Sequence, residues 1–185
     1  RKHKGIKYVF QTDIKDFFPF ITNKMVYNML VHNGFSPDVA SVITKLVTYK
    51  GHLPQGSPAS TTIANLVFVP VGIRLQQFAV DNKLRFTTFV DDVTISSQTD
   101  FKHIVPDILE IITAGGFKIS QQKTTYKSGI KEITGVRLPN NTLTTTKQFK
   151  YKYSDIESLP DNRRRGVENY KQRIQRISEN RKIQS

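Results

Sequence analysis

Phe89-Val90-Asp91-Asp92-Val93-Thr94-Ile95 sets two adjacent aspartates between two runs rich in β-forming residues, 84–90 and 93–97. The flanking runs predict a hairpin with the acid pair at its tip. Like charges side by side repel, which makes this pair a poor choice for folding alone. One explanation is an ordinary polar turn, because Asp favours turns. The other is a divalent cation. Hard cations take oxygen ligands, and two of them can stabilise the attacking and the leaving oxygen of a phosphoryl transfer. A third aspartate favours the second explanation. Asp13 ends the run Tyr8-Val9-Phe10-Gln11-Thr12-Asp13-Ile14, whose apolar and β-prone residues predict a strand over 7–14.

Working outward, Asn23 is expected to cap a short helix carrying Met25, Val26, Met29 and Leu30, stopped at Gly34. Ser36-Pro37 starts a second helix, with Val39, Val42, Ile43, Leu46 and Val47 at helical spacing as its apolar face, ended by Lys50-Gly51. Leu53-Pro54-Gln55-Gly56-Ser57-Pro58 holds two prolines and a glycine and reads as a loop. A long helix follows over about 60–79, with Pro70 predicting a kink. After the hairpin, Ile104, Ile108, Leu109, Ile111 and Ile112 mark a helix ending at Gly115-Gly116. Short strands come next, with turns at Ser128-Gly129 and Pro139-Asn140. The chain is then polar up to Arg163, where Val167, Tyr170, Ile174 and Ile177 outline a basic amphipathic helix. This order of elements gives an α+β class.

Composition narrows the functions. The 185 residues fit one large domain, or one and a half small ones, and can bury a core. Without cysteine there is no disulfide framework and no thiolate zinc site, and His3, His32, His52 and His103 show no ligand spacing. No continuous apolar run approaches the length of a membrane span, so no membrane is expected. The basic start Arg1-Lys2-His3-Lys4 lacks the apolar stretch of a signal peptide, and the chain is expected to be cytoplasmic. It begins without Met and is expected to be part of something longer. A net charge of +13 points to a polyanionic partner. Basic residues crowd the two ends, with Arg163, Arg164 and Arg165 ahead of Lys171, Arg173, Arg176, Arg181 and Lys182. These could track a nucleic-acid backbone or simply form a solvated face.

Asp13-Ile14-Lys15-Asp16-Phe17-Phe18-Pro19, then Leu53-Pro54-Gln55-Gly56-Ser57-Pro58, then Phe89-Val90-Asp91-Asp92 resemble, in order and spacing, the palm of a reverse transcriptase. The likeness is to the prokaryotic branch of retron and phage-defence (antiviral) enzymes, with group II intron enzymes near. Gly116-Phe117-Lys118-Ile119 with Gln122-Lys123-Thr124 resembles the following family motif, and Ile133-Thr134-Gly135-Val136 the primer grip. Phe89 replaces the family's usual tyrosine, Ser57-Pro58-Ala59-Ser60-Thr61 departs from the usual continuation, and Pro70 is unusual in its helix. The fingers that normally precede Asp13 are not seen.

The resemblance implies a polymerase palm over 1–146, its small antiparallel sheet packed on helices, and the start of a helical thumb over 147–185. It implies an RNA-directed DNA polymerase, a nucleotidyltransferase using two Mg²⁺ ions (or Mn²⁺ in their place), deoxynucleoside triphosphates, an RNA template and a DNA or RNA primer. Asp13 and Asp91 would hold the metals with the Ile14 carbonyl, and Asp92 would be a looser ligand or an outer acceptor. Asp16 reads as a structural acid at the turn. Of Phe17 and Phe18 one is expected in the core, and the family pattern puts Phe18 under the sugar of the nucleotide. Gln55 and Gly56 would pack on nucleotide and template. Lys123 would lie near the triphosphate or be an exposed lysine without a role. Two rival readings share many of these residues: a template-independent polymerase of the abortive-infection type, and a non-catalytic nucleic-acid-binding module.

Overall fold

The computed structural model describes residues 2–3, 5–129, 131–133, 136–138 and 143–179. Strand β1 (Tyr8–Asp13) is followed by a one-turn helix α1 (Phe17–Phe20), then α2 (Asn23–His32), α3 (Pro37–Val47) and the long α4 (Pro58–Asp81). The hairpin β2 (Arg85–Phe89) and β3 (Asp92–Ser97) leads to α5 (Val105–Ala114) and β4 (Thr125–Ser128). Strands β5 (Lys131–Ile133), β6 (Val136–Leu138) and β7 (Thr144–Thr145) precede α6 (Lys147–Lys152) and α7 (Asp161–Glu179). One sheet has the order β2-β3-β1-β4, the other β5-β6-β7. The α+β class holds.

The chain forms two compact units. One comprises residues 11–95 and 101–125; the other comprises residues 1–10, 96–100 and 126–185. In the first, α4 packs against α1, α2, α5 and β2. It buries Ser60, Ile63, Ala64, Phe68, Val71, Leu75 and Ala79. Phe17, Phe68 and Phe117 form an aromatic knot, with ring centroids 5.1 to 5.9 Å apart. Such pairs add about 0.5–1.5 kcal/mol each beyond their buried area. The end of α5 presses on α4 so closely that a Cβ on Gly115 would lie 2.3 Å from a methyl carbon of Val71.

The second unit carries the antiparallel β5-β6-β7 sheet, in which Ile133 pairs with Val136 and Val136 with Thr145. Helix α7 buries Val167 and Ile174 and leaves Arg163, Arg165, Lys171, Arg173 and Arg176 exposed. The stretch that reads as merely polar contains α6, capped by the Thr146 hydroxyl accepting from the Phe149 N–H at 3.0 Å. The Phe149 ring packs 5.0 Å from Tyr170.

Several expectations need correction. The cap of α2 is Thr22, whose hydroxyl accepts from Met25 N–H, while the Asn23 side chain bonds the next amide. The expected apolar face of α3 is not its buried one. Val39, Val42 and Leu46 are exposed, Leu46 by 79%, and Ala40 and Thr44 face the core. Small residues suit that contact because they let the helix approach closely. Helix α4 starts earlier and ends later than expected, and it runs on past Pro70, which cannot donate its own helical hydrogen bond. It is also long and apolar enough to cross a membrane, by length and composition. Uncharged Ser, Thr, Asn and Gln interrupt its apolar residues and conceal that length from a count of continuous runs. The helix buries one stripe through Ile63, Phe68, Val71 and Leu75 and leaves Leu66, Val69, Ile73 and Val80 exposed. The Thr134-Gly135 part of the expected primer grip, the Pro139-Asn140 turn, and Arg181 and Lys182 lie outside the described residues.

Candidate metal centre and nucleotide site

Two segments distant in sequence meet through their backbones. Ile14 N–H donates to the Asp91 carbonyl at 2.9 Å, which ties the hairpin tip to the end of β1. On the other side, the segment after α5 pairs with the same strand end. Ser120 N–H donates to the Asp13 carbonyl at 2.9 Å, and Lys15 N–H to the Lys118 carbonyl at 2.8 Å, framing an antiparallel Ile14–Ile119 bridge. The Thr12 and Thr124 hydroxyls share a 2.7 Å hydrogen bond. Asp13 is thus held from both flanks, and its side chain is buried to 9% exposure.

The hairpin tip is tight. Only Val90 and Asp91 separate β2 from β3, and Val90 takes the left-handed conformation, φ 56°. A β-branched side chain occupies that region at a cost of about 1–3 kcal/mol. The turn presents Asp91 and Asp92 to Asp13, with a carboxylate oxygen of each within 4.8 Å of the others. All three expected carboxylates converge. Asp16 stands apart from this group. It is exposed and left-handed at φ 52° ahead of α1, where its carbonyl accepts from Phe20 N–H and its side chain makes no capping bond.

The electrostatics of the cluster are those of a cation site. The Asp92 carboxyl is held above the usual carboxylate range, first by burial, then by the charges of Asp91 and Asp13, with Lys123 pulling the other way. The Lys123 ammonium donates to Asp13 Oδ2 at 2.8 Å and remains 65% exposed. That hydrogen bond, followed by the charge of Asp13, raises the affinity of Lys123 for its proton. One lysine facing three carboxylates leaves the cluster short of positive charge. Three oxygen donors at this spacing suit a hard divalent cation.

The other expected residues fall differently. Phe17 is 2% exposed inside the aromatic knot and has no free face for a nucleotide, which corrects its place among nucleotide-binding residues. Phe18 is half-buried and touches the knot through Phe17 at 5.7 Å. Gln55 and Gly56 are both exposed in the loop ahead of α4, with Gly56 left-handed at φ 87° and open space where a Cβ would stand. Ser60 Oγ closes that loop by donating to the Pro54 carbonyl at 2.6 Å. Sequence reasoning missed that 118–120 is the segment pairing with Asp13 and Lys15. Its only sequence signal is the Gly116-Phe117 break that frees the chain from α5.

The chain matches the family described as reverse transcriptase (RNA-dependent DNA polymerase) over residues 1–153, and it belongs to that family. Within it, the similarity is to retron enzymes. The chain is 34% identical to retron Ec86 reverse transcriptase of Escherichia coli over 125 residues, 66% of this chain and 39% of that protein. It is 28% identical to retron Mx65 reverse transcriptase of Myxococcus xanthus over 163 residues, 76% of this chain and 38% of that protein. The chain therefore spans under two fifths of the length of these curated relatives. Among solved structures, telomerase from Candida albicans in complex with a fragment of telomeric RNA superposes with a TM-score of 0.62. That match has 11% identity and covers 77% of this chain and 32% of the telomerase chain, a likeness of fold alone.

Proposed function

We propose that this chain carries the catalytic centre of an RNA-directed DNA polymerase, joining a deoxynucleoside triphosphate to a primer 3′-hydroxyl on an RNA template. The observation that supports it best is the convergence of Asp13, Asp91 and Asp92 within 4.8 Å, at the hairpin that the Ile14–Asp91 backbone bond docks onto β1. A module that only bound nucleic acid would gain nothing from three crowded carboxylates. Asp13, Asp91 and the Ile14 carbonyl would hold two Mg²⁺ ions, with Asp92 as a looser partner. Bound there, the ions would neutralise the phosphates of the reacting nucleotide. The Lys123 ammonium, 2.8 Å from Asp13 Oδ2, balances part of the negative charge there.

In this reading residues 1–146 are the palm and 147–185 the start of a thumb. Phe18, the member of the phenylalanine pair with open surface, lies under the nucleotide's sugar. Gln55 and Gly56, exposed at the mouth of α4, pack on nucleotide and template. Manganese binding to this chain, read by electron paramagnetic resonance, tests the centre. Tight sites are expected in the parent, and loss in Asp13→Asn and in Asp91→Asn. Equal binding in both variants would refute it. Extension of an RNA-templated primer by the full-length protein, against extension without template, separates templated synthesis from the template-independent alternative.

A further inference from the structure

We infer that Lys15 and Lys118 are a paired clamp for the polyphosphate of the nucleotide, the group that departs as pyrophosphate. This rests on the proposed polymerase reading and adds residues to it. The backbone bonds around Ile14 and Ile119 set Lys15 directly opposite Lys118, and Asp13 opposite Ser120. The two lysines thus sit across the pairing from each other, two residues along from Asp13 and Ser120. Like charges directly opposite one another destabilise a strand pair. These two are exposed, and neither has an acidic partner among the described residues. The arrangement mirrors the aspartate pair across from it: a repulsive placement that becomes favourable once an ion of opposite charge sits between.

The surroundings suit an anion. A basin of about 1120 Å³ opens beside the two lysines. Its remaining polar side chains are hydroxyls and amides, among them Ser120, Gln121 and Gln122, and no carboxylate lines it. Lys123 is already engaged by Asp13, so within this unit Lys15 and Lys118 are the cations beside the centre that are free to meet phosphate. A chain of phosphates is the ligand class that would meet the lysine pair through its oxygens and, through its cations, the carboxylates that begin at Asp13, two residues from Lys15.

The test is calorimetric titration of this chain with inorganic pyrophosphate at low salt, in EDTA so that the carboxylate centre takes no part. The double variant Lys15→Gln/Lys118→Gln should weaken binding about tenfold or more, since each charged hydrogen bond lost is worth roughly that factor. A charge-matched control, Lys45→Gln/Lys83→Gln, changes exposed lysines elsewhere and should bind as the parent does. Parent-like binding by the first variant, equal loss in the control, or no binding by the parent would each overturn the proposal. So would an equal loss of affinity for a short single-stranded oligonucleotide, which would make the lysines a backbone contact. Manganese binding, measured in the same variants, keeps the two readings apart. It should survive in Lys15→Gln/Lys118→Gln, and its absence from the parent would refute the metal centre while leaving the pyrophosphate result standing.

Discussion

Asp92→Asn should make this chain more stable in metal-free buffer at neutral pH. Asp92 shares a 4.8 Å cluster with Asp91 and Asp13. At that separation two unit charges repel by about 0.9 kcal/mol in water and about 3.5 kcal/mol at an effective dielectric of 20. Asp92 is half-exposed, and Lys123 offsets part of the repulsion, so the lower end applies, about 1 kcal/mol after screening. For a chain of this size that raises Tm by roughly 2–4 °C. The pH dependence has a definite sign. Asp92 holds its proton more tightly in the folded state than in the unfolded one, so protonation favours folding. Its charge costs stability above its raised folded pKa. That cost fades as pH falls through it and is gone below the unfolded value, about 3.9.

The advantage of Asn should therefore be full at neutral pH and absent in strong acid. Thermal denaturation followed by circular dichroism, in EDTA and in millimolar MgCl₂, measures it. Added Mg²⁺ should stabilise the parent by mass action and the variant less, shrinking or reversing the difference. A lower Tm for Asp92→Asn in EDTA, or the same gain with and without Mg²⁺, would show that these carboxylates do not form one crowded site.

Phe17→Ala should cost about 3–5 kcal/mol by opening the aromatic knot, while Phe18→Ala costs clearly less. In the full-length enzyme, Phe18→Ala should raise ribonucleotide incorporation, and an unchanged deoxy-to-ribo ratio in a folded Phe18→Ala enzyme would end its assignment to the sugar. Gly115→Ala should lose about 1–3 kcal/mol in urea denaturation, because the added methyl meets Val71 at 2.3 Å. Val90→Gly relieves a left-handed β-branched residue and should raise the melting midpoint; no change would mean that the turn stores no strain. Binding of this chain to nucleic acid, measured by fluorescence anisotropy, should fall on the order of a thousandfold between low and moderate salt if six or more phosphates are contacted.

Much of the site was legible because its chemistry is written in residue types that folding alone does not favour. An acid pair between β-prone runs, a third acid at the end of an earlier strand, and a Pro-Gln-Gly loop ahead of a long helix are local signals in fixed order. They carried the α+β class, the hairpin, the long helix and the three carboxylates. Local patterns failed where a choice depended on neighbours. The periodicity of α3 named Val39, Val42 and Leu46 as its inner face, yet Ala40 and Thr44 are buried, because what packs on a helix decides which stripe is covered. Phe17 and Phe18 are chemically the same, and only the position of Phe68 and Phe117 puts the first in the core.

By itself, then, the sequence determined which groups could do the chemistry: three carboxylates, a following lysine, and an excess of positive charge. Tertiary structure alone decided their company. The backbone bond from Ile14 to Asp91 brings together residues separated by most of a unit, and the pairing of Ile14 with Ile119 delivers Lys15 and Lys118 to the same strand end. Such pairings have no signature in local sequence, because they arise from long-range backbone hydrogen bonds that any residue with an N–H and a C=O can make.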